Sequence, residues 1–586
     1  MRLSTVCLTL ARFLLPPAII GTVYLYTYPI LQCSFPLAKR AEAACYFDGS
    51  NRPAIPAETA PFRLLALGDP QLEGDTSLPS GFAGGHYFPS LKDGFWHGVQ
   101  QCGDSARVWC GIRPALAGLM TQDVPRLFEG SRKRVDLWGN DLYLAHIYWL
   151  VSWWTQPTHT VVLGDLLGSQ WIGDDEFKRR SGRFWGKVFR GAEKVPREVT
   201  DVSGRVEVLG RDPRWRRRVM AVAGNHDVGY AGDLDKHRIE RFEDMYGRVN
   251  WAIRFRLNDS SSAEAAARSP PSLFSTTSLA PTPPELRLVI LNSMNLDAPA
   301  YDPELRQQSL DFLANQLENN AMTSHGHASS SANSATILLT HIPLHKPAGI
   351  CVDAPYFSYF PAHQGGGIKE QNHLSQNTSE HILAGLLGDG SEEQGSRRGG
   401  AAAIVLNGHD HEGCDTLHYR RANPPTNTPL GGAGGAGEAA VEDDTPPEET
   451  PQLQQQRKWR AERHPSSYPQ HLQHLAPGPA PDSTGPMLRE ITVRSMMGSF
   501  SGNAGLLSAW FEADEGNEGN EEEGGQGRWR FEYSSCMLGV HHIWWAVHVL
   551  DLVVVALGVV GVGLEVREEV GAARRAEEEE RKARKI

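Results

Sequence analysis

Apolar residues in this chain fall into one long run near each end and a series of short runs between them. Val6 to Leu31 is almost continuously apolar, broken chiefly by Arg12 and the pair Pro16-Pro17. At a rise of about 1.5 Å per residue, a helix of that length crosses the roughly 30 Å of hydrocarbon in a bilayer. No small-x-small cleavage site follows a short apolar stretch here, so residues 6–31 read as an uncleaved transmembrane signal anchor rather than a signal peptide. Ile543 to Val566 is the second long run, weakened by His548 and Asp551. Residues 567–586 are almost uniformly charged and present no apolar face, so the run 543–566 reads as a second transmembrane helix followed by a solvated tail rather than as a buried core helix.

Two spans put both termini on one side of a membrane. Arg574, Arg575, Arg581, Lys582, Arg584 and Lys585 make that side the cytosol; Arg2 agrees, and Lys39 and Arg40 are a mild contrary signal. The middle segment, residues 60–536, is then lumenal, and 567–586 is a cytosolic charged tail. The final residues Lys582-Ala583-Arg584-Lys585-Ile586 resemble a basic retrieval signal of endoplasmic reticulum membrane proteins, with Arg584 where lysine is usual. The sequons Asn258-Asp259-Ser260 and Asn377-Thr378-Ser379 fit a glycoprotein with a lumenal domain. Cys7 lies in the first span; among the rest, Cys102 and Cys110 are close enough to close a small disulfide loop, although spacing does not establish pairing.

Between the spans, short apolar runs recur at Phe62–Leu67, Thr160–Leu163, Val219–Ala223, Leu286–Leu291, Thr336–Thr340 and Ala402–Leu406. Unbroken apolar runs of this length predict strands buried on both faces. Helical periodicity at Leu137–Trp154 and Leu305–Leu317 lies between some of them, which predicts a layered α/β domain. The stretches 260–284, 324–334, 388–400, 423–486 and 512–527 are rich in Ser, Gly, Pro, Gln or Glu without apolar period, and are expected to be disordered insertions in one domain. The chain carries 57 Lys and Arg against 69 Asp and Glu, a net charge of −12, which excludes a nucleic-acid binder driven by bulk positive charge.

The chemistry lies just beyond the apolar runs. The first leads into Gly68-Asp69-Pro70-Gln71, the second into Gly164-Asp165, the third into Gly224-Asn225-His226-Asp227. Later runs end at His341 and at Gly408-His409-Asp410-His411. In an open α/β sheet, functional groups collect beyond the carboxyl ends of the strands. Carboxylate, amide and imidazole together are the donors that a pair of divalent cations takes, with a carboxylate able to bridge. Each motif alone is a common turn; their shared position at strand ends is the informative feature.

This series resembles the calcineurin-like metallophosphoesterase superfamily, whose pattern is Asp-x-His, Gly-Asp, Gly-Asn-His-Asp/Glu, His and Gly-His-x-His, and the match runs from Phe62 to His411. The resemblance implies an α/β fold, a four-layer α/β/β/α sandwich, here with large disordered insertions and flanked by the two transmembrane helices. It implies one cation held by Asp69, Asp165, His411 and Gln71, and a second by Asp165, Asn225, His341 and His409, with Asp165 shared. His226 and Asp227 would be the catalytic pair, His226 acting on the leaving oxygen and Asp227 orienting its ring. Gln71 departs from the pattern, standing where the superfamily has histidine, and a neutral oxygen there favours a hard ion such as Mn²⁺ over Fe or Zn. Asp69-Pro70-Gln71 is itself similar to the fungal membrane-bound branch that acts on glycosylphosphatidylinositol (GPI) anchors. That branch implies a phosphodiesterase removing ethanolamine phosphate from the anchor glycan, with the GPI lipid or a GPI-anchored protein as substrate. The competing readings are a phosphomonoesterase or protein phosphatase on the same site, and a degenerate membrane adaptor that binds cargo-sorting proteins.

Overall fold

In the computed structural model the described residues are 2–37, 59–82, 84–101, 107–257, 283–325, 333–351, 354–387, 402–420, 458–465, 486–512 and 527–585. The strands in chain order are β1 (Phe62–Leu67), β2 (His159–Val162), β3 (Glu193–Lys194), β4 (Val206–Val208), β5 (Arg218–Ala221), β6 (Trp251–Arg256), β7 (Glu285–Ile290) and β8 (Ser334–Leu339). They continue with β9 (Phe357–Tyr359), β10 (Ile368–Gln371), β11 (Ala402–Asn407), β12 (Cys414–Tyr419), β13 (Arg460–Arg463), β14 (Met487–Thr492), β15 (Asn503–Glu512) and β16 (Arg528–Met537). One sheet has the order β16-β15-β1-β2-β5-β3 and the other β13-β12-β14-β11-β8-β7-β6-β4, while β9 and β10 pair separately. β1, β2 and β5 run parallel, as do β7, β8, β11 and β14, so the chain ends of these strands lie at one edge of each sheet.

Among the described residues the helices longer than two turns are α1 (Leu3–Gln32), α2 (Pro89–Gln101), α3 (Arg107–Gly118), α4 (Val124–Thr155), α5 (Asp174–Arg183), α6 (Lys236–Tyr246), α7 (Pro303–His325), α8 (Gln376–Leu387) and α9 (His541–Ala583). Alternation along the strands sorts the core. Phe62, Leu64 and Ala66 of β1 share an apolar cluster with Leu286, Leu288 and Ile290 of β7 and with Ile337 and Leu339 of β8, so strands of both sheets contribute to one core. The intervening Leu65 and Leu67 fall in a cluster with Tyr143, Leu144, Ile147 and Val151 of α4, and Val289, Leu338 and Val405 in the same cluster as Leu313 of α7 and Ile382 of α8. Strands covered on both faces carry no polar alternation, which is why they read as unbroken apolar runs.

Two expectations change. The segment 423–486 contains an edge strand, β13, paired antiparallel with β12. Its residues, Arg-Ala-Glu-Arg, bury only Ala461 and so leave no apolar run to read. The helix expected over Leu137–Trp154 starts at Val124 and is preceded by α2 and α3, on which Trp96, Trp109 and Leu116 are exposed while Leu91, Phe95, Val99 and Ile112 are half-buried. The other parts of the expected insertions lie for the most part outside the described residues, as does Cys102; Cys110 is disulfide-bonded.

α1 and α9 are both long and apolar enough to cross a membrane. They pack along each other, with Ser4 Oγ donating to Glu568 at 3.1 Å and Thr22 Oγ1 donating to Asp551 at 2.9 Å. A disulfide joins Cys33 to Cys536 beyond their other ends. Early residues of one meet late residues of the other, so the helices are antiparallel and both chain ends lie on the same side. α9 does not stop with the apolar run but continues through the charged segment to Ala583.

Candidate metal centre

Five strand ends supply the site. Asp69 and Gln71 follow β1, Asp165 follows β2, Asn225 follows β5, His341 follows β8, and His409 and His411 follow β11. Ligand atoms of Asp165, His341 and His409 all lie within 4.8 Å of one another, and so do those of Asp69, Asp165 and His411. Asp165 belongs to both groups.

The approach is close enough to dictate backbone chemistry. A Cβ on Gly164 would lie 2.2 Å from Nδ1 of His341, and one on Gly224 2.2 Å from the backbone nitrogen of Asp165. Asp69, Gln71, Asp165 and His409 themselves adopt positive φ, at 43°, 40°, 49° and 73°. Such a conformation costs a non-glycine residue about 1–2 kcal/mol. Four residues of one site carry that strain because the turns must aim their side chains inward.

Hydrogen bonds then select which nitrogen of each imidazole faces the centre. Nδ1 of His341 lies 2.7 Å from the Leu163 carbonyl oxygen, which can only accept, so Nδ1 carries the proton and Nε2 faces Asn225 Oδ1 at 3.0 Å. His409 is reversed: Nε2 donates to the Gln371 carbonyl at 2.9 Å, leaving the Nδ1 lone pair toward Asn225 Oδ1 at 3.0 Å. Nε2 of His341 is also 3.4 Å from Asp165 Oδ1. Lone pairs of two imidazoles, an amide oxygen and a carboxylate thus converge with no proton between them, an arrangement that a cation renders favourable. Asp69 Oδ2 is buried without a hydrogen-bond partner among the described residues. Burial, and then the neighbouring charge of Asp165, hold Asp69 well above the usual carboxylate range. Burial keeps His341 and His411 below the ordinary imidazole range and, with His341 adding repulsion, brings His409 down to about 3. All three are neutral at neutral pH, as ligands must be. The donor set therefore fits a pair of divalent cations.

Gln71 completes the group of Asp69, Asp165 and His411. Its amide Nε2 donates to Asp165 Oδ2 at 3.0 Å and lies 3.1 Å from Nε2 of His411. A half-turn of the amide offers Oε1 at the same place. Replacing Gln71 by histidine would add an imidazole to this group, and Gln71→His is expected to shift preference from Mn²⁺ toward Zn²⁺ by about tenfold or more in competition titrations.

His226 sits at the mouth, its side chain 33% exposed, with Nε2 3.7 Å from Asp165 Oδ2. Its Nδ1 has no hydrogen-bond partner among the described residues. The orienting role expected for Asp227 is not what the geometry gives. Its carboxylate accepts from the backbone N–H groups of Gly224, Leu166 and Leu167 at 3.0 to 3.2 Å, tying the loop after β2 to the turn after β5. No hydrogen bond among the described residues joins this carboxylate to the ring of His226, whose Nδ1 has no partner and whose Nε2 faces Asp165.

A buried support behind the ligands escapes a reading of strand ends. Glu490 of β14 accepts from the backbone N–H of Leu344 and from Asn407 Nδ2, both at 2.7 Å, and from Lys346 Nζ at 2.8 Å, and it lies 2.6 Å from His418 Nε2. It anchors the segments just after His341 and just before His409. The available signal was a lone acid within the apolar strand Leu-Arg-Glu-Ile-Thr-Val. Glu490→Ala strands Lys346 and His418 without their partner, and is expected to cost about 3–5 kcal/mol, read as a fall of roughly 10 °C in Tm.

No family model matches the chain. Among curated proteins it is 27% identical over 470 residues to Protein TED1 of Saccharomyces cerevisiae, covering 72% of this chain and 77% of that one. It is 30% identical over 315 residues to an uncharacterized protein of Schizosaccharomyces pombe, covering 52% and 62% of the two chains. To Metallophosphoesterase 1 of Rattus norvegicus it is 21% identical over 313 residues, again 52% and 62%. The chain thus spans about three-fifths of the length of the latter two relatives. With the ordered motifs at five strand ends and the shared donor cluster, these relatives make the chain similar to metallophosphoesterases and to the two fungal proteins.

Proposed function

We propose that this protein is a dimetal phosphodiesterase of the endoplasmic reticulum membrane, with its folded domain in the lumen, that removes ethanolamine phosphate from the GPI-anchor glycan and so supports transport of GPI-anchored proteins. The observation that carries the reading is the double membership of Asp165 in two clusters of lone-pair donors. Asp69, Asp165, His411 and Gln71 would hold one cation and Asp165, Asn225, His341 and His409 the other, Mn²⁺ being favoured by the oxygen of Gln71. The cation pair, when bound, supplies charge neutralisation at phosphorus and a water-derived nucleophile near neutral pH.

The chain's own residues supply the rest. The Leu163 and Gln371 carbonyls hold the protons of His341 and His409 on the nitrogens that face away from the centre. His226 stands at the opening, its side chain part-exposed and its Nε2 3.7 Å from Asp165 Oδ2 while Nδ1 is buried without a partner among the described residues, and it would deliver a proton to the departing alcohol oxygen. Asp227 keeps the two flanking loops in register rather than touching the ring.

Disulfides Cys33–Cys536 and Cys351–Cys414 suit an oxidising compartment. Antiparallel terminal helices, with basic residues in the C-terminal tail, support termini on the cytosolic side. The choice of a GPI substrate is supported by the similarity of Asp69-Pro70-Gln71 to the fungal branch that acts on GPI anchors. The test is to purify the full chain in detergent, load it with Mn²⁺, and follow release of ethanolamine phosphate from GPI glycans beside hydrolysis of bis(p-nitrophenyl) phosphate and of p-nitrophenyl phosphate. The proposal expects release of ethanolamine phosphate and, with leaving groups matched, faster hydrolysis of bis(p-nitrophenyl) phosphate than of p-nitrophenyl phosphate; the reverse order with no release from GPI glycans would replace it with a phosphomonoesterase.

A further inference from the structure

The helical segment between β1 and β2 carries an apolar surface that the metal centre does not use. On α4, Val124, Phe128, Val135, Trp138, Trp149 and Trp153 are each 43–75% exposed. At about 100° per residue these six positions fall within an arc of about 80°, one stripe along the whole helix. Nearer the opposite side of α4, polar residues grip the folded domain: Lys133 reaches Glu73 at 3.1 Å and Asp141 pairs with Arg183 at 2.6 Å. The stripe therefore points away from the domain. Trp96 of α2, Trp109 and Leu116 of α3, and Met120 just before α4 extend the exposed apolar surface, at 52–77% exposed. α2 and α3 pack so closely that a Cβ on Gly98 would lie 2.3 Å from the Cys110 carbonyl oxygen, the backbone approach typical of helices in a lipid environment.

This surface is continuous with the two terminal helices. A Cβ on Gly139 would lie 1.7 Å from the Trp545 ring, Tyr26 meets the rings of His146 and Trp149 at 5.0 and 6.2 Å, and Tyr143 Oη donates to the Gly539 carbonyl at 2.6 Å. α4 thus crosses α1 and α9 where they leave the folded domain, the level at which a spanning pair meets the headgroups. Tryptophan is the residue that favours that level. A single loop separates this level from the metal centre: Phe500 packs on the His411 ring at 4.9 Å, and a Cβ on Gly498 would lie 2.6 Å from the His541 ring.

We propose that α2, α3 and α4 form an in-plane platform whose apolar stripe is immersed in the bilayer surface at the base of the two spans, setting the metal centre at the height of phosphoesters carried by membrane-anchored substrates. The substrate clause rests on the proposed phosphodiesterase reading; the immersion of the stripe does not. The test uses the full chain in phosphatidylcholine nanodiscs containing phosphatidylcholine with a diazirine near its headgroup, irradiated and mapped by peptide mass spectrometry. Adducts are expected on Trp109, Phe128, Trp138 and Trp153 as well as on α1 and α9; adducts confined to α1 and α9 would overturn the platform. The triple variant Trp109→Ser, Phe128→Ser, Trp138→Ser should keep hydrolysis of soluble bis(p-nitrophenyl) phosphate within about twofold while losing about tenfold on GPI glycolipid in the same nanodiscs, because only the second reaction depends on local concentration at the bilayer. Equal losses on both substrates would count against the platform. A wild-type protein that hydrolyses neither would strike the reaction, and the adduct map alone would then decide the platform.

Discussion

Asp165→Ala is expected to leave the protein folded, empty of metal, and slower on phosphodiesters by at least about 10³-fold. The expectation follows from position rather than from charge alone. Asp165 is common to both donor groups, its Oδ1 accepts the backbone N–H of His226 at 2.9 Å, and its Oδ2 accepts from Gln71. Removing it dissolves both groups at once, whereas loss of Asn225 or His411 affects one. The change also deletes the neighbour whose charge adds to burial in raising Asp69, so the vacated centre is not strained by new repulsion. Metal analysis, circular dichroism and turnover on one preparation check it. Unchanged metal content with unchanged turnover would remove Asp165 from the mechanism.

His226→Ala is expected to do the opposite to metal and nearly the same to rate. His226 lies outside both donor groups, and its Nδ1 makes no hydrogen bond within the described residues, so bound metal and Tm should match the wild type. Turnover should fall by about 10²–10⁴-fold if the ring protonates the leaving oxygen. The leaving group separates this role from general electrostatic support: an alkyl alcohol needs the proton and p-nitrophenolate does not, so the loss should be large for the first and small for the second. Equal losses on both would mean that His226 serves the phosphate and not the departing oxygen.

How much of this could be read from the chain alone depends on whether a feature is carried by side chains in a local run. The β1 run Phe62–Leu67 is legible because both its faces are covered, and the residues just beyond such runs are legible because a parallel sheet brings its strand ends together. β13 is not, because an edge strand needs only one buried residue, Ala461. The exposure of Trp96 on α2 and of Trp109 and Leu116 on α3 is not legible either, since exposure to solvent or lipid is not encoded in periodicity. Within the site, the tautomers of His341 and His409 depend on backbone carbonyls of Leu163 and Gln371, which any residue could provide. Asp227 looked like a partner for its neighbour His226 because adjacency in sequence suggests contact, but three backbone donors hold its carboxylate elsewhere. Glu490 lies nearly 150 positions from the ligand it steadies near Leu344, and only the pairing of β14 beside β11 brings it there.

The central claim is that one carboxylate joins two cation sites. The most direct measurement is electron paramagnetic resonance of the chelator-stripped full chain titrated with Mn²⁺. Two equivalents bound per chain, with the exchange-coupled spectrum of ions bridged through a shared ligand, is the predicted result. A single equivalent, or two ions with the spectra of isolated Mn²⁺, would contradict it.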